Sequence, residues 1–185
     1  FIILYKGDKR LRLLALTLLL LFFTLWLFSP RVNSQDQVLQ NEVVWLDTSS
    51  QRNCLAKNIY FESANQPLVG RVAVANVTLN RVNDDQFPND ICSVVYQARL
   101  RTNWKDELVP IIGQCQFSWY CDGKSDRPTD SKTWVEAVKL AGQVISGFYP
   151  DLTEGALWYH ADYISPNWSQ YLERTVTIEN HLFYR

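Results

Sequence analysis

The stretch from Cys54 to Gly70, CLAKNIYFESANQPLVG, sets a carboxylate among apolar side chains. On a helix Leu55, Asn58, Ile59 and Glu62 fall at i, i+3, i+4 and i+7, and so share one face. Desolvation raises the pKa of a carboxylic acid and lets it hold a proton at neutral pH. Such a group can protonate a leaving oxygen, the step that an acid performs in glycoside cleavage. Periodicity equally allows a structural carboxylate, paired with Arg71 or Arg81 or lying at an exposed helix end.

Two further clusters carry chemistry-bearing residues. In CQFSWYCDG, Cys115 to Gly123, the rings of Phe117, Trp119 and Tyr120 crowd a loop with Ser118 and Asp122. That loop is either a stacking wall with hydrogen-bonding tips or a disulfide-tied plug in a core. In WYHADYISPNW, Trp158 to Trp168, His160 and Asp162 suit a metal pair, a general-base pair or a hydrogen-bonded structural histidine, with Tyr163, Ser165 and Trp168 nearby. With only His160 and His181 in the chain, a histidine-dominated metal centre is thin. No G-x-S-x-G elbow, P-loop or dinucleotide fingerprint is present. The acceptor-like triplets at Asn76 (NVT) and Asn167 (NWS) are read as chance matches, the first because it falls inside a predicted helix.

The whole chain sets limits on these readings. Its 185 residues suit one domain with accessories, and 18 Lys+Arg against 19 Asp+Glu leave a net charge of −1, without the basic footprint of a nucleic-acid binder. Seven Trp and nine Tyr suit either a cleft for polar ligands with apolar faces or ordinary core packing. Residues 1–12 form a basic flank with Lys6, Lys9, Arg10 and Arg12. Residues 13–28, LLALTLLLLFFTLWLF, carry no charge and read as a transmembrane signal anchor or a cleavable signal sequence, with everything after Phe28 exported. The chain has no Met, so its initiator is expected upstream. Export makes one or two disulfides among Cys54, Cys92, Cys115 and Cys121 the expectation, with three pairings open and Cys115–Cys121 suited to a small loop.

Residues 29–52 read as a polar linker, with an apolar patch at residues 43–46 that docks on the domain, and residues 53–185 as the globular part. Helices are predicted from Asn53 to Ser63, from about Leu68 to Val82 and from Ser131 to Ser146, the last stopped by Gly147. The inner stripe of the second is Val69, Val72, Ala73, Asn76, Val77 and Asn80. That of the third is Trp134, Val135, Val138, Ala141, Gly142 and Ile145. A short element is expected from Ile91 to Gln97. GALWYHADY and RTVTIENHLFYR alternate like short strands. The expected class is a helix-rich α+β domain with a small sheet.

In order along the chain, CLAKNIYFESANQPLVGRVAVANVTLNRV, FPNDICSVVYQ, CQFSWYCDG and YHADYISPNW, followed by HLFYR, resemble the SleB-type cell wall hydrolases, the spore cortex-lytic enzymes and their relatives. The resemblance covers nearly all of Asn53 to Arg185 but not the N-terminal segment. It implies a lysozyme-like fold, similar to lytic transglycosylases and resuscitation-promoting factors. It carries the catalytic glutamate of the family's Y-F-E-A motif onto Glu62 in Tyr60-Phe61-Glu62-Ser63, with Ser63 in place of Ala. Asn65-Gln66 stand where the family often has Arg-Gly-Glu.

The implied reaction is cleavage between N-acetylmuramic acid and N-acetylglucosamine in peptidoglycan, by one glutamate and without cofactor or metal. Asn80, Ser118, Trp119, Asp122, His160 and Tyr163 are expected to bind substrate. A hydrolytic variant of the reaction would need a second carboxylate, Asp122 or Asp162. The rival readings are a muramoyl-L-alanine amidase with His160, His181 and Glu62 on a metal, and a tethered glycan-binding module without catalysis. The expected partners are peptidoglycan strands and the inner membrane, with the domain on the periplasmic or extracytoplasmic side.

Overall fold

A computed structural model of the chain describes residues 17–24 and 34–185. Residues 17–24 form helix α1, with exposed leucine and phenylalanine side chains. The remainder of the expected anchor and its basic flank lie outside the described residues. Among the described residues no helix is long and apolar enough to cross a membrane. The chain divides between Val43 and Val44 into two compact units.

Helix α2 spans Ser34–Ser63, far longer than a start at Asn53 predicts. Residues 34–63 contain neither Gly nor Pro, so nothing interrupts the backbone ladder, and residues 34–52 of the expected linker belong to the helix. The side chains of the patch at residues 43–46 lie outside the described residues. Helix α3 spans Leu68–Val82, opened after Pro67, and α4 spans Ile91–Val95, where the Asp90 carboxylate accepts from the Ser93 N–H at 2.9 Å. Helix α5 spans Ser131–Ile145. Asp130 caps it by accepting from the Thr133 N–H, and Gly147, with φ of 74°, terminates it in the left-handed region.

The three-stranded antiparallel sheet takes the order β3 (Trp158–Ala161), β5 (His181–Tyr184), β4 (Arg174–Ile178). A separate antiparallel hairpin, β1 (Ala98–Thr102) and β2 (Leu108–Cys115), occupies a stretch where the sequence suggested no element. Its turn is held by Asn103, whose Oδ1 accepts from the N–H groups of Lys105 and Glu107.

Helix α3 is the centre of the packing. Val72 and Ala75 face the main core with Leu55, Ile59, Val94, Phe117 and Leu140, whereas Ala73 and Val77 meet Ala156 and Phe183 at the sheet. A helix buried on two sides needs apolar residues around most of its girth, which explains the run VAVANV. Val69 and Val135, expected on inner stripes, are exposed instead. Helix α5 packs through Ala137, Leu140, Ala141 and Val144, a stripe rotated away from Val135.

The polar residues of α3 hold the segment that leads into β3. Asn76 Oδ1 accepts from the Leu152 N–H, and Asn80 Nδ2 lies 3.1 Å from each of Asp151 Oδ2, Thr153 Oγ1 and the Ala156 carbonyl. Arg81 Nε donates to the Leu157 carbonyl at 2.7 Å. Asn80 therefore works as a structural clasp.

Disulfides join Cys54 to Cys92 and Cys115 to Cys121, with sequence separations of 38 and 6. Cross-linking a longer loop removes more entropy from the unfolded chain. A Cys54→Ser/Cys92→Ser variant is expected to lose roughly 2–4 kcal/mol in urea denaturation, and more than Cys115→Ser/Cys121→Ser.

Candidate active site

Glu62 sits in the last turn of α2, one residue before the helix ends, and its carboxyl enters a cleft of about 620 Å³. All of β3, from Trp158 to Ala161, also lines it, together with Tyr163, Pro166 and Trp168. Alternation along β3 and β5 sorts the sheet's side chains. Tyr159, Phe183 and His181 share one face, with ring centroids of Tyr159 at 5.6 Å from Phe183 and 5.5 Å from His181. His160 lies on the other, stacked on Tyr184 at 5.2 Å and edge-on to Trp168. Nδ1 of His160 lies 2.9 Å from the Ala161 carbonyl and must donate there, and Nε2 shares a hydrogen bond of 2.9 Å with the Tyr184 hydroxyl.

The Tyr159 hydroxyl donates to Glu62 Oε2 at 3.1 Å. Among the described residues nothing hydrogen-bonds Oε1, which leaves one carboxyl oxygen to the cleft. Burial raises the pKa of Glu62, opposed by the Tyr159 hydrogen bond and by the positive charge of Arg81. Burial, followed by the charge of Glu62, holds the Tyr159 hydroxyl well above its ordinary pKa, so it remains a donor. Arg81 is almost wholly buried, packed beneath the rings of Phe87 and Phe117 at 5.2 and 5.1 Å. Its Nη1 has no hydrogen-bond partner. Of the two arginines considered as partners for Glu62, Arg81 acts on it through its field, whereas Arg71 pairs with Glu136 at 3.4 Å.

The cleft gathers Glu62, Ser118, His160 and Tyr163. Three other expected binding residues lie elsewhere. Asn80 clasps the 151–156 segment, and Asp122 pairs with Lys124 at 3.6 Å. Trp119 is buried, donating through Nε1 to Asn58 Oδ1 at 3.1 Å and stacked on Phe61. It supports α2 from beneath, because Asn58 lies one turn before Glu62 and also donates to Thr78. Asp162, the other candidate second carboxylate, is outside the cleft wall. Ser63 is fully buried, and its hydroxyl donates to the Ile59 carbonyl at 2.9 Å, so the extra polar atom is satisfied. Asn65 and Gln66 do not line the cleft.

Arg81 entered the sequence reading only as a salt-bridge partner, and Tyr159 and His181 were not singled out as binding residues. The alternation of WYHA in a strand was the available signal for Tyr159. The position of His181 follows from the β3–β5 register, which pairs it with Ala161. Burial lowers the pKa of His181, and its Nδ1 has no partner. Among the described residues no three His, Cys, Asp or Glu side chains converge on a point that would hold a metal ion.

The profile of the Cell Wall Hydrolase family matches residues 65–184. The chain belongs to the cell wall hydrolase family. Glu62 lies three residues before the matched region. The fold is similar to the catalytic domain of the germination-specific lytic transglycosylase SleB from Bacillus anthracis, with a TM-score of 0.55 and 29% identity over 73% of this chain and 93% of that one. The SleB catalytic domain of Bacillus cereus gives a TM-score of 0.53 and 28% identity over 74% and 91% of the two chains. Among curated relatives, the spore cortex-lytic enzyme of Bacillus cereus is 44% identical over 48 residues, 26% of this chain. That of Oceanobacillus iheyensis is 32% identical over 74 residues, 40% of this chain. These matches span only 18% and 24% of the two enzymes.

A carboxyl whose pKa is raised by folding binds its proton more tightly in the folded state. Its contribution is complete below the ordinary carboxylate range and is lost as pH climbs through the raised value. A Glu62→Gln variant, with a side chain that cannot ionise, is therefore expected to gain thermal stability over the parent above that window. The two should converge below it, as calorimetry across pH would show.

Proposed function

We propose that this cell wall hydrolase cleaves peptidoglycan glycan strands between N-acetylmuramic acid and N-acetylglucosamine as a lytic transglycosylase, with Glu62 as both acid and base. One observation carries the reading. Among the described residues that line the cleft, Glu62 is the only carboxylate, and burial favours its protonated form. A hydrolytic mechanism of the retaining kind places two carboxyl groups about 5–5.5 Å apart, and the inverting kind about 6.5–9.5 Å apart. The single-carboxylate route needs neither.

In that route the protonated Glu62 gives its proton to the bridging oxygen as the bond to the muramoyl C1 breaks. The substrate's own acetamido group stabilises the positive sugar. The Glu62 carboxylate then takes the proton of the C6 hydroxyl as that oxygen attacks C1. The product is a 1,6-anhydro ring, no water is consumed, and Glu62 returns to its starting state. Tyr159 and Arg81 support the carboxylate between the two transfers, since both favour its charged form. The rings of Tyr163 and Trp168 suit the apolar faces of sugars.

The same proposal places the domain outside the cytoplasmic membrane. Support comes from the uncharged run at residues 13–28 behind a basic flank, and from two disulfides, which persist in oxidising compartments.

Glu62→Gln is expected to slow digestion of purified peptidoglycan by at least about 10²-fold, and the parent should leave anhydro-muramoyl ends by mass spectrometry. Parental activity should fall as pH rises through the raised pKa of Glu62. Reducing ends would indicate a hydrolase. Peptide release that stops with chelator and returns with zinc would indicate an amidase. An equally active Glu62→Gln variant would remove Glu62 from the chemistry.

A further inference from the structure

Beside the Glu62 cleft lies a second hollow of about 370 Å³, built by an irregularity in the β1–β2 hairpin. The register pairs Leu100 with Pro110 and Ala98 with Cys115, so β1 advances two residues while β2 advances five. Among the extra residues of β2 is Gly113, whose φ of 73° lies in the left-handed region open to glycine. The space left between the strands is lined by Gln97, Ala98, Arg99, Gln114, Cys115 and Gln116. Cys115 and Gln116 also line the Glu62 cleft, so the two hollows share a wall. The Cys115–Cys121 disulfide and the hydrogen bond from the Gln116 N–H to the Gln97 carbonyl, at 2.9 Å, hold that wall.

The second hollow differs chemically from the first. Its only charged side chain is Arg99, and among the described residues no carboxylate pairs with it. Gln97 Oε1 is buried in the wall without a hydrogen-bond partner, an acceptor still to be satisfied. Gln114 and Gln116 add amides that donate and accept. A guanidinium matches a carboxylate in two parallel hydrogen bonds, and carboxamides match peptide groups. Within peptidoglycan the sugars of a peptide-substituted strand carry hydroxyl and acetamido groups but no free carboxylate. A run of amides ending in carboxylates belongs to the stem peptide on the muramoyl lactyl group.

We infer that the hollow behind Cys115 and Gln116 is a subsite for the stem peptide of the strand held in the cleft, with Arg99 taking a peptide carboxylate and Gln97, Gln114 and Gln116 its amides. The inference rests on the peptidoglycan reading above and adds a determinant of which strands are accepted.

The test measures binding by the full chain of the disaccharide N-acetylglucosaminyl-N-acetylmuramoyl peptide, with its peptide carboxylates either free or amidated. This fragment contains no muramoyl-to-glucosaminyl bond, so it is not turned over. The result is therefore independent of the role of Glu62, which the Glu62→Gln digestion decides separately. Calorimetric titration is expected to show the free-carboxylate form binding roughly tenfold more tightly. Arg99→Ala should abolish that preference, Arg99→Lys should keep part of it, and Arg101→Ala, on the same strand but outside the hollow, should keep all of it. Equal affinity of the parent for the two forms, or a preference that survives Arg99→Ala, would overturn the assignment.

Discussion

The burial of one carboxyl group between a phenol and a guanidinium organises this molecule. Glu62 is held at the end of α2, its Oε2 against the Tyr159 hydroxyl of β3, with the Arg81 charge of α3 close by. Removal from water favours the neutral acid, while the hydrogen bond and the cation favour the anion. Opposed influences of this kind bring a carboxyl towards the range where it can both give and take a proton. Each of the three groups comes from a different element, so the balance depends on how α2, α3 and the sheet are set against one another.

Helix α3 sets them. It carries small apolar residues on two faces, one for the helical core and one for the sheet. Its polar residues Asn76, Asn80 and Arg81 all reach the backbone or side chains of the segment before β3. Arg81 thus has two roles, since its Nε fixes the Leu157 carbonyl two residues before Tyr159 while its charge acts on Glu62. Trp119 works from the other side, binding the buried Asn58 of α2 one turn before the acid. Asn80 and Trp119, which the family resemblance led us to expect in contact with substrate, instead hold the elements that carry the residues lining the cleft.

The hairpin adds what the helical core lacks. Two strands pair away from the main sheet, and the irregular stretch of β2 borders a polar hollow that shares a wall with the Glu62 cleft. Both hollows lean on Cys115 and Gln116, so the disulfide-tied loop serves as a partition as well as a wall.

The sequence by itself determined the elements whose signals are local. The span of α3, the stop of α5 at Gly147 and the strands around His160 and His181 follow from periodicity, capping and alternation over a few residues. The placement of Glu62 on the same face as Leu55 and Ile59 was legible for the same reason. Local signals misplaced the start of α2, because Asn53 suits a cap but the residues before it, with neither Gly nor Pro among them, propagate the helix equally well. The β1–β2 hairpin was missed because Pro110 and Gly113 inside β2 read as breakers of a strand. Only the tertiary structure decided that Tyr159 and Arg81, distant in sequence, flank Glu62, and that Asn80, Trp119 and Asp122 stand outside its cleft. Hydrogen bonding, desolvation and Coulomb fields depend on distance through space, and no spacing along the chain encodes that distance until the core has packed.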